Sequence, residues 1–207
     1  HELPPNVVSS TALEDALAPV YRKLGLNQGR LELMSGVRER RFWDEGTPPS
    51  VPSVRTAREA IRRAGLEPGQ VGALLHTSVC RDCLEPATAS IVGGQLGLAP
   101  GAFVFDLSNA CLGFMNGLVT VANMIELGQI EAGVVVATES GRPLVDATVR
   151  HLVSKSTNGL ARKDLRPAFA SLTIGSGSVA AVLTSRRLAK VPGRRLLGGA
   201  VRQATEH

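Results

Sequence analysis

The 207-residue sequence contains few aromatic residues, few cysteines and no long run of apolar residues. Aromatic side chains make up 3% of the chain against 43% for all hydrophobic residues, so Ala, Val, Leu and Ile must fill the core. The absence of a long apolar run predicts no membrane-spanning helix. The composition as a whole excludes a disordered chain, a collagen-like repeat and a disulfide scaffold.

Basic residues outnumber acidic ones, with 23 Lys and Arg against 18 Asp and Glu, which gives a formal net charge of +5. Most of them are arginines, but these are scattered and no nucleic-acid-binding motif accompanies them, so we predict no nucleic-acid partner. A phosphate-bearing small molecule, an acidic carrier protein and a simply solvated surface all stay open as explanations of the charge. Three cysteines without a secretion signal indicate a reducing compartment, the cytoplasm.

Helical patterns alternate with short apolar runs, which favours an α/β layered fold. The predicted strands are 71–79, 103–107, 133–138 and 196–203. A capping box at 11–14 (Thr-Ala-Leu-Glu) predicts the start of the first helix. The helix predicted at 111–128 is apolar nearly all round, which indicates burial on every side. Residues 171–183 are expected to form a glycine-kinked pair of strands.

Cys111 lies where a predicted strand ends, a short turn of small residues follows and an apolar helix begins. The unpaired N–H groups and the macrodipole at a helix N-terminus stabilise an anion, which favours a nucleophilic thiolate. A similar strand–turn–helix corner exposes the serine of many hydrolases. The competing interpretation is a small buried hydrophobic residue, the more common role of a single cysteine.

The segment 106–114 (Asp-Leu-Ser-Asn-Ala-Cys-Leu-Gly-Phe) strongly resembles the nucleophile segment of the ketoacyl synthase III branch of the thiolase superfamily. The stretches 35–41, 131–139 and 174–183 resemble family motifs in the same order. The resemblance implies a thiolase-like layered fold (αβαβα) made of two duplicated halves. It implies that residues 1–207 are the N-terminal half, which carries the nucleophile, and that the C-terminal half is not in this chain.

Residues 77–90 (Thr-Ser-Val-Cys-Arg-Asp-Cys-Leu-Glu-Pro-Ala-Thr-Ala-Ser) resemble most closely the OleA-type enzymes of bacterial olefin biosynthesis, which condense long-chain acyl-CoAs. By that resemblance the chain is an acyltransferase that joins two acyl-CoAs by a non-decarboxylative Claisen condensation through an acyl-Cys111 intermediate. The backbone N–H of Cys111 contributes to the oxyanion hole, and Glu85 is the base that acts in the partner subunit's site. The resemblance further implies a homodimer, downstream olefin-pathway enzymes as partners, and neither cofactor nor metal.

The family's catalytic His and Asn belong to its second half, and none of the histidines of this chain lies in a matching motif; they are His1, His76, His151 and His207. Met34 replaces the Arg that in ordinary synthases stacks on the CoA adenine, so that contact is not transferred. Two alternatives stay open: a decarboxylative 3-oxoacyl-carrier-protein synthase III, and a non-catalytic half that serves as an interaction subunit. The pair Cys80 and Cys83 fits a redox motif or half a zinc site, but no further ligands accompany it, so we interpret both as structural thiols.

Overall fold

The structure is a computed structural model that describes residues 1–157, 159–190 and 193–205. The helices are α1 (Ser10–Ala16), α2 (Ala18–Leu24), α3 (Arg30–Ser35), α4 (Ser50–Arg63), α5 (Thr88–Leu96), α6 (Gly113–Glu126), α7 (Arg142–Ser156) and α8 (Arg162–Thr173). The strands are β1 (Asn6–Ser9), β2 (Glu39–Phe42), β3 (Ala73–His76), β4 (Phe103–Asp106), β5 (Ala132–Glu139) and β6 (Gly177–Thr184). Contacts divide the chain into a first unit (1–49 and 138–178) and a second unit (50–137 and 179–207).

The second unit is built on a sheet with strand order β4-β3-β5-β6, in which β3 runs parallel to both β4 and β5. Successive residues of β3 face opposite sides of this sheet, as the pleat requires. Leu74 packs in one apolar cluster with α4 and α5, whereas Ala73 and Leu75 pack in a second cluster with Val121 of α6. Helices therefore cover both faces of the sheet, which explains the continuous apolar runs in the sequence and confirms the predicted α/β class.

Helix α6 departs from the prediction of a helix buried on every side. A 3-10 turn at Ala110–Leu112 precedes it, and the fully buried residues of α6 are Gly113, Gly117 and Val121, all on the face that meets the sheet. Met115 on another face is 55% exposed. The prediction that α6 is buried on every side is therefore wrong for the described chain. The sequence shows that the helix is apolar, but it does not show how many of its faces are covered by other parts of this chain.

The strand predicted at 196–203 is also wrong, since the described residues 193–205 contain no strand. Leu197 and Val201 are exposed there, and apolar residues of this kind form a strand only where a neighbouring strand pairs with them. None of the helices among the described residues has both the length and the apolarity that a bilayer crossing requires.

The first unit pairs β1 antiparallel with β2 and packs α1, α2, α7 and α8 around a separate apolar core. Its first helix begins earlier than predicted, because Ser9 is the N-cap and its Oγ accepts a hydrogen bond from Ala12 N at 3.0 Å. Glu14, predicted to complete a capping box, is instead 1% exposed and accepts hydrogen bonds from Leu31 N at 2.7 Å and from Gly29 N at 2.6 Å. Its carboxylate thus holds the start of α3.

Residues 171–183 do not form the predicted pair of strands. Helix α8 continues to Thr173, and only β6 follows. Leu165, Phe169 and Leu172 recur at helical spacing and all pack in the core of the first unit, so tertiary burial selects a helix here. The β-branched residues and glycines beyond position 173 are typical of a strand, but the predicted strand pair began at residue 171, within the last turn of α8.

Candidate active site

Cys111 lies at a corner between β4 and α6. The strand ends at Asp106, and the backbone of Leu107 still donates to His76 O at 2.9 Å before the chain turns. Ala110 has a left-handed backbone with φ of 44°, a conformation that costs a residue with a Cβ about 1 kcal/mol or more. Cys111 follows it within the 3-10 turn and is exposed. It is therefore not a buried packing residue, and its thiol lies at the surface of a strained turn.

Two glycines bring the start of α6 unusually close to the end of β3. A Cβ on Gly113 would lie 2.7 Å from the carbonyl oxygen of Thr77. A Cβ on Gly117 would lie 2.6 Å from Thr77 Cγ2 and 2.8 Å from Val135 Cγ1. Only glycine permits this approach, so the position of Cys111 relative to the sheet depends on both residues.

Glu85 lies on the loop between β3 and α5, residues 77–87, which we call the Glu85 loop. Its side chain is exposed. The loop is held to its surroundings by Asp82, which accepts from Ser50 N at 2.8 Å and from Ser50 Oγ, while Asp82 N donates to Thr88 Oγ1 at 3.1 Å. The thiol of Cys83 donates to Pro86 O at 3.5 Å. The backbone around Glu85 is therefore fixed although the carboxylate is accessible.

Asp106 is a site residue that the sequence analysis did not single out. Its side chain is 5% exposed, and its carboxylate accepts from Thr88 N at 3.0 Å and from Ala89 N at 2.8 Å. Arg81 Nε lies 3.8 Å from the same carboxylate. Its place as the first residue of the segment 106–114 could have drawn attention to Asp106. Nothing in the sequence, however, indicates which distant residues it contacts.

The Glu85 loop and residues 107–112, which carry the predicted nucleophile Cys111 and which we call the nucleophile corner, leave the same edge of the sheet. In the parallel pair β3 and β4, His76 lies opposite Asp106, and each is the last residue of its strand. The carboxyl ends of parallel strands form the edge at which α/β proteins commonly bind ligands. The fold therefore brings the two predicted site residues, Glu85 and Cys111, to one edge of one sheet.

Comparisons with known proteins identify the family to which this chain is similar. The family model for 3-oxoacyl-[acyl-carrier-protein] synthase III matches residues 105–159, which include the nucleophile corner. An acyl-CoA:acyl-CoA alkyltransferase of Shewanella oneidensis is 41% identical over 100% of this chain and 59% of its own length. The chain belongs to the ketoacyl synthase III branch of the thiolase superfamily.

Solved structures of relatives have the same fold as this chain. Xanthomonas campestris OleA, in structures with bound lauric acid and lauroyl-CoA, matches with a TM-score of 0.90 and 35% identity over 98% of this chain. The thiolase-like layered fold is therefore confirmed. The match covers 59% of the OleA chain, and the acyl-CoA:acyl-CoA alkyltransferase of Xanthomonas campestris is likewise covered over 59% of its length at 36% identity. The chain thus spans little more than half the length of these relatives.

The histidines and Met34, to which the sequence analysis assigned no catalytic or CoA-binding role, have other surroundings. His76 is buried at the end of β3, with its Nε2 3.3 Å from Ser78 Oγ, and His151 lies in α7 of the first unit. His207 lies outside the described residues. Met34 is exposed near the end of α3. Within the part of the chain that the structure describes, no three His, Cys, Asp or Glu side chains are grouped as metal ligands would be.

Proposed function

We propose that this chain carries the nucleophile and the base of an enzyme that condenses two long-chain acyl-CoAs without decarboxylation. The observation that carries the proposal is the exposed thiol of Cys111 at the strained corner between β4 and α6, at the sheet edge from which the Glu85 loop also leaves. The relatives named acyl-CoA:acyl-CoA alkyltransferase, which match essentially the whole chain, support the choice of substrate class.

The first half-reaction transfers an acyl group to the enzyme. The thiolate of Cys111 attacks the thioester carbonyl of one acyl-CoA, and the tetrahedral intermediate collapses with CoA as the leaving group. Backbone N–H groups, including that of Cys111, donate to the oxyanion of this intermediate. The strained backbone at Ala110 supports this role, because left-handed residues of this kind are concentrated at functional sites.

The second half-reaction forms the carbon–carbon bond. The partner subunit's Glu85 removes a proton from the α-carbon of the second acyl-CoA, and the resulting carbanion attacks the acyl group on Cys111. A β-ketoacyl-CoA forms and the thiolate of Cys111 is released. A carboxylate is a weak base for a carbon acid, so the step requires an apolar site and donors that polarise the thioester carbonyl. The exposure of Glu85 in the described chain is compatible with delivery to a second subunit.

Several further features belong to this proposal. The enzyme is a homodimer, because each site takes its base from the neighbouring subunit. The steps need neither metal nor redox cofactor, and a reducing compartment such as the cytoplasm keeps the thiol of Cys111 free. The β-keto product is reactive, which makes the enzymes that convert it to an olefin the natural downstream partners.

A decarboxylative 3-oxoacyl-carrier-protein synthase III is the second candidate. The family model favours it, as does a beta-ketoacyl-[acyl-carrier-protein] synthase III of Koribacter versatilis, which is 33% identical over 72% of this chain and 42% of its own length. In that reaction loss of CO₂ generates the carbanion, so no base is needed at Glu85. The role of Glu85 therefore separates the two candidates.

The test compares Glu85→Gln with wild type in protein expressed from its complete coding sequence. Loss of a general base lowers rates about 10²- to 10⁴-fold, so we expect condensation to fall by that order while acylation of Cys111 continues. Glu45→Ala, which removes another exposed carboxylate, is the control and should match wild type. Condensation that proceeds in Glu85→Gln, or that requires a malonyl donor and releases CO₂, would reject the proposal in favour of the decarboxylative enzyme.

A further inference from the structure

We propose that Asp106 is a positioning residue for Glu85, which it holds through the start of α5 and through Arg81. This inference rests on the function proposed above. Asp106 is not a candidate for the chemistry itself, because its side chain is 5% exposed and its two oxygens accept hydrogen bonds from the first two residues of α5. Arg81 Nε and His76 Nδ1 lie further from the carboxylate, at 3.8 and 3.9 Å.

The residue before helix α5 provides no side-chain cap, and Asp106 at the end of β4 caps the helix instead. The N-cap residue is Ala87, which has no side-chain oxygen to accept from the first free N–H groups. The two oxygens of Asp106 accept separately from Thr88 N and Ala89 N, at 3.0 and 2.8 Å. A carboxylate at this position also interacts favourably with the positive end of the helix dipole. The first turn of α5 is thereby fixed to the end of β4.

The same carboxylate holds the chain on both sides of Glu85. Thr88 follows Glu85 by three residues, and Arg81, whose Nε lies 3.8 Å from Asp106, precedes it by four. Glu85 thus lies in the middle of a short segment whose two ends contact one buried carboxylate. A change at Asp106 would remove one contact at each end together and leave the chemistry of Glu85 unchanged, while Asp82 still holds the loop to Ser50.

Asp106 also begins the segment that leads to Cys111. The backbone of Leu107 donates to His76 O at 2.9 Å, which keeps the nucleophile corner attached to β3 independently of the Asp106 side chain. Removing the carboxylate should therefore disturb the position of Glu85 more than that of Cys111. This difference distinguishes a positioning role from a general contribution to stability, which would affect both half-reactions alike.

The experiment is a double-mutant cycle between Asp106→Asn and Glu85→Gln, made in the complete protein. Acylation is followed by the release of the first CoA in a single turnover and condensation by the β-keto product, both with lauroyl-CoA as the donor. Because misplacement of a reacting group by about 1 Å costs about 100-fold, Asp106→Asn should lower condensation about 10- to 100-fold and acylation by less than about 3-fold. In the Glu85→Gln background it should lower condensation little further.

Arg81→Gln provides a second variant in case Asp106→Asn does not fold. The Arg81 side chain is 33% exposed, so its loss should be tolerated, and condensation should fall several-fold with acylation unchanged. Arg62→Gln, which removes an arginine on the outer surface of α4, is the control and should leave both rates as in wild type.

The outcomes separate the two proposals. Condensation at the wild-type rate in Glu85→Gln would overturn the proposed function itself. If Glu85→Gln lowers condensation as expected but the effects of Asp106→Asn and Glu85→Gln multiply, or if Asp106→Asn slows both half-reactions equally, only the positioning role is overturned.

Discussion

Replacing Gly113 by alanine tests whether the close approach of α6 to β3 sets the position of the nucleophile. The new Cβ would lie 2.7 Å from Thr77 O, and the atom it meets is a backbone oxygen at the end of a buried strand, which cannot rotate away. Ordinary contact begins at 3.4 Å, so the start of α6 must withdraw by about 0.7 Å. Cys111, two residues earlier, would move with it.

Two opposing effects determine the change in stability. Overpacking typically costs about 1–3 kcal/mol. Alanine gains up to about 1 kcal/mol over glycine in a helix interior, and less in the first turn, where Gly113 lies. We therefore expect Gly113→Ala to lower the free energy of unfolding by about 1–2 kcal/mol. A displacement of this size should also slow acylation of Cys111 about tenfold or more.

Gly94→Ala is the matched control, because Gly94 also lies in a helix of the second unit, but a Cβ added there would meet no atom of another described residue within 4 Å. It should be neutral or stabilising by up to about 1 kcal/mol, with acylation unchanged. Urea unfolding and single-turnover acylation, measured by intact mass, provide both readouts. If Gly113→Ala and Gly94→Ala behave alike in both assays, the close approach does not position the nucleophile.

Three further predictions concern side chains outside the corner. Glu14→Gln leaves at least one of the donors to this buried carboxylate without an acceptor, so urea unfolding should show a loss of about 1–3 kcal/mol, and an unchanged midpoint would contradict it. Burial and the hydrogen bond to Glu14 raise the pKa of Tyr21 above its ordinary value of 10.0; the resulting stabilisation is present below pH 10 and is lost at higher pH. The ultraviolet difference spectrum against Tyr21→Phe should therefore show no phenolate near pH 10 in the folded protein, and ionisation there would refute it. Hydrogen bonds from Arg62 and Arg63 lower the pKa of Glu59 from 4.5 to about 2, so its contribution is present above pH 4.5 and is lost towards pH 2; Glu59→Gln should flatten this part of the stability profile, and an unaltered slope would contradict the assignment.

The parts of the fold that could be predicted from the sequence are those that depend on local pattern. The apolar run at 133–138 lies within β5, whose residues are mostly buried, because a strand covered on both faces turns neither set of alternating side chains to solvent. Cys111 could be identified because small residues and a cysteine between a strand and an apolar helix form a local signal.

The parts that could not be predicted depend on contacts between distant residues. Asp106 accepts hydrogen bonds from residues 17 and 18 positions earlier, and Glu14 accepts from a residue 17 positions later. Nothing in the local sequence distinguishes these two buried carboxylates from carboxylates on the surface. The strand predicted at 196–203 failed for the same reason, since strand formation depends on a pairing partner that sequence pattern does not reveal.

The central claim is that Cys111 accepts a fatty acyl group as a thioester, and the mass of the protein after incubation with lauroyl-CoA tests it most directly. We expect one lauroyl adduct, located on the peptide that contains Cys111, absent in Cys111→Ala and retained in Cys83→Ala, which removes the other exposed thiol. No adduct on the wild-type protein, or an adduct that persists in Cys111→Ala, would contradict it.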